Sequence, residues 1–159
     1  MELSSVYNLW THDTCNKDWS IKTYTKILSF ATAQDFWKVL NNFDKLFWQS
    51  NNIFIMRNNI EPTWETIDNR NGGTCAIKIP DSHALAAFED IITRIVVDDD
   101  NIIKNNDITG LSISPKSSFF VIKIWNGDKK YDLSKTLDLN YLKKYGDLEI
   151  IYKQNEPEY

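Results

Sequence analysis

Apolar and polar positions along the chain change their period several times, and each change marks an element. Residues 6–13 read as a short strand, followed by a polar loop, 13–18, that ends at Trp19. Residues 21–30 alternate β-branched, aromatic and polar side chains, which suits a half-buried strand. Over 33–47 the period lengthens. Phe36, Leu40, Phe43 and Phe47 recur every three or four residues and form one apolar stripe, so a single helix is expected with Thr32 as its cap. Residues 52–57 give another short strand. A loop holding Pro62 and the Gly72-Gly73 pair follows, then a strand over 75–79. A second helix is expected after Pro80, capped by Asp81 or Ser82 and running to about Val97. Asp98, Asp99, Asp100 and the Asn-rich stretch to Asn106 read as a polar loop. Two strands, 108–114 and 119–125, flank Pro115-Lys116. The turn Asn126-Gly127-Asp128 leads to a third helix, roughly 133–145, closed by Gly146, and 148–152 forms a last strand.

Interspersed helices and hairpin-like strand pairs predict an α+β fold, an antiparallel sheet with about three helices packed on one face. The uncovered face is then free to hold a ligand. The chain shows no internal repeat and no long linker, so its 159 residues read as a single domain, 1–159. A net charge of −4 argues against a broad polyphosphate-binding face, which needs clustered Lys and Arg. It leaves room for a small anionic ligand held by a few local cations. Cys15 and Cys75 form neither a metal-ligand spacing nor a disulfide framework. The first ten residues lack the pattern of a signal peptide, and no stretch approaches the ~20 apolar residues of a membrane span. A reduced, cytoplasmic setting and no membrane partner are the expectation.

Catalytic motifs are not found. There is no G-x-S-x-G, no Gly-rich phosphate loop and no H-E-x-x-H. His12 and His83 are isolated, and an acidic run such as 98–100 is usually solvated. A non-enzymatic protein with no cofactor and no metal is expected. The informative segment is Ile60-Glu61-Pro62-Thr63-Trp64-Glu65. An indole beside an acid can read guanine: the ring stacks on the base, and the carboxylate accepts from N1–H and the N2 amino group. Methylation at N7 makes the base cationic and adds a cation–π attraction of about 0.5–2 kcal/mol per ring. From this dipeptide alone, a core tryptophan beside a surface acid is the better-supported reading.

Taken in order along the chain, the aromatic positions resemble the translation initiation factor 4E family, the cap-binding subunit of eukaryotic initiation. The features that carry the resemblance are Leu9-Trp10, Trp19 after a short polar loop, Asp35-Phe36-Trp37, Ile60-Glu61-Pro62-Thr63-Trp64-Glu65, Gly72-Gly73, and Ile122-Lys123-Ile124-Trp125. The resemblance implies a strongly curved antiparallel sheet with three helices on its convex back and the messenger RNA cap in the concave slot. Trp19 and Trp64 match the two rings that stack on 7-methylguanine. Glu65 matches the guanine-reading acid, the Trp64 backbone N–H a donor to guanine O6, and Trp125 the residue touching the N7 methyl group. Lys116 falls where the family has an arginine on the cap phosphates.

Two basic positions of the family are lost, at Thr74 and Val121. Lys123, on the same strand face as Val121, and Arg70, in the Gly-Gly loop, are the expected replacements. The chain ends at Tyr159, before the segment the family uses near the second nucleotide. On the back of the molecule Trp37, Ala33 and Asp90 match a surface that receives a helical peptide from a 4G-type scaffold or a 4E-binding protein, by a helix-in-groove mode. Trp37 also fits a place at the edge of the core stripe. The expected partner is capped mRNA, bound by a monomer acting in translation initiation. The alternatives are a cap-binding homologue that competes with initiation without recruiting the scaffold, a cap-processing hydrolase, and a small-molecule carrier with a tryptophan-lined pocket.

Overall fold

The segment Ile53-Phe54-Ile55-Met56 is buried along its whole length, although its neighbours in sequence are polar. Such a run belongs to a strand covered on both sides. It is the middle of β3 (Asn51–Arg57) in a seven-stranded antiparallel sheet. The other strands are β1 (Glu2–Asp13), β2 (Thr25–Thr32), β4 (Gly73–Pro80), β5 (Ile108–Pro115), β6 (Phe119–Asn126) and β7 (Glu149–Gln154). Their spatial order is β2-β1-β3-β5-β6-β4-β7. This computed structural model describes residues 1–97 and 99–156, without the side chains of Asp99 and Asp100.

One face of the sheet carries the main core. Leu9, Ile53, Ile55, Ile77, Ile122 and Ile124 are buried there with Phe88, Ile91, Ile92 and Ile95 of helix α3 (Ala84–Val97). Each such side chain stabilises the fold by about 1.5–3 kcal/mol. The opposite face carries a smaller cluster of Phe54, Met56, Ile60 and Trp125, with Trp10, Tyr24 and Trp64 packed against it. Irregularities in the β1–β2 register after Glu2 and Leu9, and in the β5–β6 register after Ile108, add local bends to the curved sheet. Gly110 stands at the last of these. A Cβ there would lie 2.4 Å from Met56 Sδ, so only glycine lets the smaller cluster close.

Several elements differ from the expectation, each for a local reason. The helix expected over 33–47 is two, α1 (Ala33–Asn41) and α2 (Lys45–Ser50). Thr32 caps α1 by accepting from the Asp35 N–H at 3.1 Å. Asp44 then interrupts the stripe, because its carboxylate accepts from the Phe47 N–H at 2.8 Å and starts α2. Residues 99–106 are not a loop. Helix α4 (Asp99–Asn106) forms there because Ile103 buries and Ile102 packs on the core; Asp98 lies outside the described residues. The third helix is only α5 (Leu133–Thr136), followed by a 3-10 turn, Asn140–Tyr145. Asp132 and Asp138 each accept from a backbone N–H two residues on, favouring short turns over one long helix. Gly146, at φ +111°, does close the segment. Further 3-10 turns occupy Ile21–Thr23, where a strand was expected, and Asp81–His83, where a cap was expected. The described residues thus hold five α-helical segments rather than three.

Asn126, fully buried at the end of β6, ties three strands together. Its Oδ1 accepts from the Gly73 N–H at 3.0 Å and the Tyr152 hydroxyl at 2.7 Å. Its Nδ2 donates to the carbonyls of Asp128 at 3.1 Å and Tyr131 at 2.8 Å. Gly72 passes so close that a Cβ would lie 1.9 Å from the Asn126 carbonyl oxygen. Asn126→Ala strands these partners in a dry site and is expected to cost about 2–5 kcal/mol. Urea unfolding measures this as a lower midpoint at unchanged slope; a loss below about 0.5 kcal/mol would contradict the assigned role.

Candidate functional site

Trp19 stands on the loop between β1 and β2, which three side-chain turns hold in shape. Asp13 accepts from the Cys15 N–H at 2.8 Å, Asn16 from the Asp18 N–H at 2.9 Å, and Asp18 from the Ser20 N–H at 2.8 Å. The last of these bonds, above other causes, holds the Asp18 carboxyl below the usual carboxylate range. The loop presents an indole that is 53% exposed. Its support is His12, buried on β1 two residues after Trp10. The imidazole stacks on Trp19 at 4.0 Å between centroids and 10° between planes. His12 Nε2 lies 2.7 Å from the Asp18 carbonyl oxygen, an acceptor only, so that nitrogen carries the proton.

From His12 the aromatic contacts continue across the sheet. Tyr24 lies 4.9 Å from His12, Phe54 5.3 Å from Tyr24, and Trp125 6.1 Å from Phe54. Trp125 is pinned by an Nε1–H bond of 3.0 Å to Ser112 Oγ. Burial first, and the Glu65 carboxylate second, push the Tyr24 hydroxyl up to about 12.

Trp64 and Glu65 stand on the loop between β3 and β4. Ile60 and Pro62 are buried at its root, and Trp64 is half-buried. Inside the loop, Asn69 Nδ2 donates to the Glu61 carbonyl at 3.1 Å and the Thr63 carbonyl at 2.9 Å. Asn155, just past β7, donates to the Asn69 carbonyl at 2.9 Å. Glu65 is exposed at the rim.

A hollow of about 490 Å³ lies between these two loops and the sheet. Trp19, Trp64, Glu65, Trp125, Lys116 and Lys123 all line it. Lys116 comes from the β5–β6 hairpin, and Lys123 rises from β6. Lys123 is exposed, yet protein atoms in the concavity displace part of its hydration. That desolvation, then the charges of Lys116 and Lys153, hold its ammonium below the usual lysine range. Arg70 is exposed in the Trp64 loop and does not line this hollow. Trp37, 40% exposed, and Ala33 lie on α1, away from the hollow. Asp90, on α3, is held by Lys144 Nζ at 2.7 Å and by the Tyr145 hydroxyl.

Sequence reading named neither His12, Tyr24, Phe54 nor Ser112 as site residues. His12 carried a signal: it follows Trp10 by two on a strand, so both face the same side.

The profile of eukaryotic initiation factor 4E matches residues 2–157. The chain belongs to the eukaryotic initiation factor 4E family. It is similar to the wheat (Triticum aestivum) initiation factor NCBP, at 23% identity over 103 residues, 64% of this chain and 44% of the relative. The chain thus spans less than half the length of the curated relatives it matches. Among solved structures it resembles Ascaris suum eIF4E-3 in complex with an m7G cap, with a TM-score of 0.79 at 17% identity over 99% of this chain and 92% of that one. It also resembles C. elegans eIF4E-3 in complex with the 4E-binding protein Mextli and a cap analogue, with a TM-score of 0.79 at 19% identity over 96% and 91%. At these identities the likeness establishes the fold.

The Trp64 loop of this family member depends on Asn69. Asn69→Ala leaves two loop carbonyls without their donor and is expected to cost about 1–3 kcal/mol. Hydrogen exchange should accelerate over residues 61–72 and stay unchanged in β3 and β6; uniform acceleration would show global destabilisation instead.

Proposed function

We propose that this chain binds the 7-methylguanosine cap of messenger RNA and acts in translation initiation, in the cytoplasm, as a binding factor and not an enzyme. The observation that carries the reading is the hollow lined by two indoles on separate loops, a rim carboxylate and two lysines. In it, the cationic base stacks between Trp19 and Trp64, each ring adding about 0.5–2 kcal/mol of cation–π attraction. Glu65 accepts from guanine N1–H and N2–H, the Trp64 backbone N–H donates to O6, and Trp125 meets the N7 methyl group. Lys116 and Lys123 neutralise the phosphates, and Arg70, off the wall of the hollow, takes no direct part. The fold shared with the Ascaris protein, solved with an m7G cap, supports the same ligand here.

On the convex side, Trp37 and Ala33 are the proposed seat of a helical peptide from a 4G-type scaffold or 4E-binding protein. The C. elegans neighbour, solved with Mextli, supports such a partner. The pairing of Asp90 with Lys144 and Tyr145 favours a second reading, because a partner must first displace those groups. That reading is a cap-binding member that does not recruit the scaffold.

Titration of tryptophan fluorescence tests the proposal. 7-Methyl-GTP should quench and bind at least about tenfold more tightly than GTP, as roughly 1.4 kcal/mol from two rings gives. Trp64→Ala should abolish most of this preference with an unchanged far-UV circular dichroism spectrum. Equal affinity for the two nucleotides would sink the stacking mechanism.

Lys123 generates a second expectation. In the ligand-free protein its charge is partly desolvated and faces Lys116 and Lys153, so it opposes folding. Lys123→Met should raise the thermal midpoint of the free protein while weakening 7-methyl-GTP binding about three- to tenfold. Full affinity would remove Lys123 from the phosphate site, and a lowered midpoint would show that its charge does not oppose folding.

A further inference from the structure

The pairing register across β6, β4 and β7 brings a third lysine to the edge of the site. Trp125 on β6 stands opposite Thr74 on β4, and Thr74 stands opposite Lys153 on β7. The neighbouring row on the same face runs from Lys123 through Ala76 to Ile151. Cys75 and Ile77 point into the helix-covered core, so Thr74 and Ala76 point the other way. Tyr152 likewise packs on that core, which turns Lys153 to the side of Trp125.

Thr74 and Ala76 are short. Two interstrand steps of about 4.8 Å separate β6 from β7, a span that two lysine side chains can close from either side. Between them lies a second hollow of about 560 Å³, lined by Trp64, Trp125, Lys123, Thr74 and Lys153, with Glu65 and Glu156 at its margins. It shares Trp64, Glu65, Lys123 and Trp125 with the base-sized hollow, so the two are continuous. Lys123 therefore stands between Lys116 on one side and Lys153 on the other, and it feels the charge of both.

The register sets Lys153 directly beside Thr74, whose short side chain leaves the trough open. We propose that Lys153 is a phosphate-binding residue, and that it and Lys123 hold the phosphate chain of a nucleoside di- or triphosphate over the Thr74–Ala76 floor. The inference rests on the cap-binding reading for the base but not for the anion. In a chain of net charge −4, three lysines facing one trough concentrate the cations where the anion lies.

The test uses the full chain, Lys153→Gln, Lys153→Arg, and Lys45→Gln as a control that removes one exposed charge from α2. Each is titrated calorimetrically with 7-methylguanosine, 7-methyl-GMP, 7-methyl-GTP, GTP and inorganic triphosphate. Lys153→Gln should weaken 7-methyl-GTP and inorganic triphosphate about three- to tenfold, the size of one charge-assisted contact, and leave 7-methylguanosine unchanged. Lys153→Arg should retain binding, and Lys45→Gln should change it less than about twofold, as expected of a screened remote charge. The proposal is overturned if Lys153→Gln binds triphosphates like the unmutated chain, if its loss equals that of Lys45→Gln, or if the nucleoside loses as much as the triphosphate. If the unmutated chain does not favour 7-methyl-GTP over GTP but loses inorganic triphosphate in Lys153→Gln, the cap reading fails and the anion site stands. If the unmutated chain gains nothing from added phosphates, the anion site fails and the stacked base stands.

Discussion

Burial of Ile53, Ile55, Ile77, Ile122 and Ile124 beneath the helices does more than stabilise the sheet. Successive residues on a strand point to opposite sides, so the same burial sets Phe54, Lys123 and Trp125 on the far face. A one-residue slip of β6 would drive Lys123 into the core and put Ile122 and Ile124 into the hollow, losing apolar burial on one side and desolvating a charge on the other. The register of β6 against β4 and β5 is therefore fixed by the core, and the site inherits it.

The strands supply the floor and the loops supply the walls. Trp125 is held by Ser112, and Phe54 and Tyr24 fill the space toward His12. Trp19 and Trp64 stand on turns whose hydrogen bonds are made by Asp13, Asn16, Asp18 and Asn69. An indole left half in water gives up burial that would have stabilised the fold, and Lys123 keeps a charge in partly desolvated surroundings. Both features cost stability in the free protein, and under the proposed cap-binding role a cationic base with an anionic tail would offset both.

Where the helices depart from the expected pattern, the physical cause is the competition of Asp side chains for backbone N–H groups. Phe36, Leu40, Phe43 and Phe47 do lie toward the core, as their period implies, but the chain reaches that arrangement through two helices because Asp44 restarts the second. The period reports which face is buried and is silent about a break that keeps the face aligned. Residues 99–106 failed in the opposite direction. Their composition is that of a loop, and only the core's acceptance of Ile102 and Ile103 makes them helical.

The amino-acid sequence alone determined the α+β class and the antiparallel pairing, and it named in advance the tryptophans, the acid and the first two lysines that line the hollow. These follow from local period and from an ordered set of residues that resembles a known family. It did not determine what lies behind or beside those groups. His12 meets Trp19, and Asn69 meets Thr63, through the hydrogen-bonded shape of a loop, and Lys153 meets Thr74 through strand register. Arg70 shows the converse, since proximity in sequence to Trp64 did not bring it to the wall of the hollow. Which distant side chains share a surface is set by the register and curvature of the whole sheet, and those exist only once the core beneath it has packed.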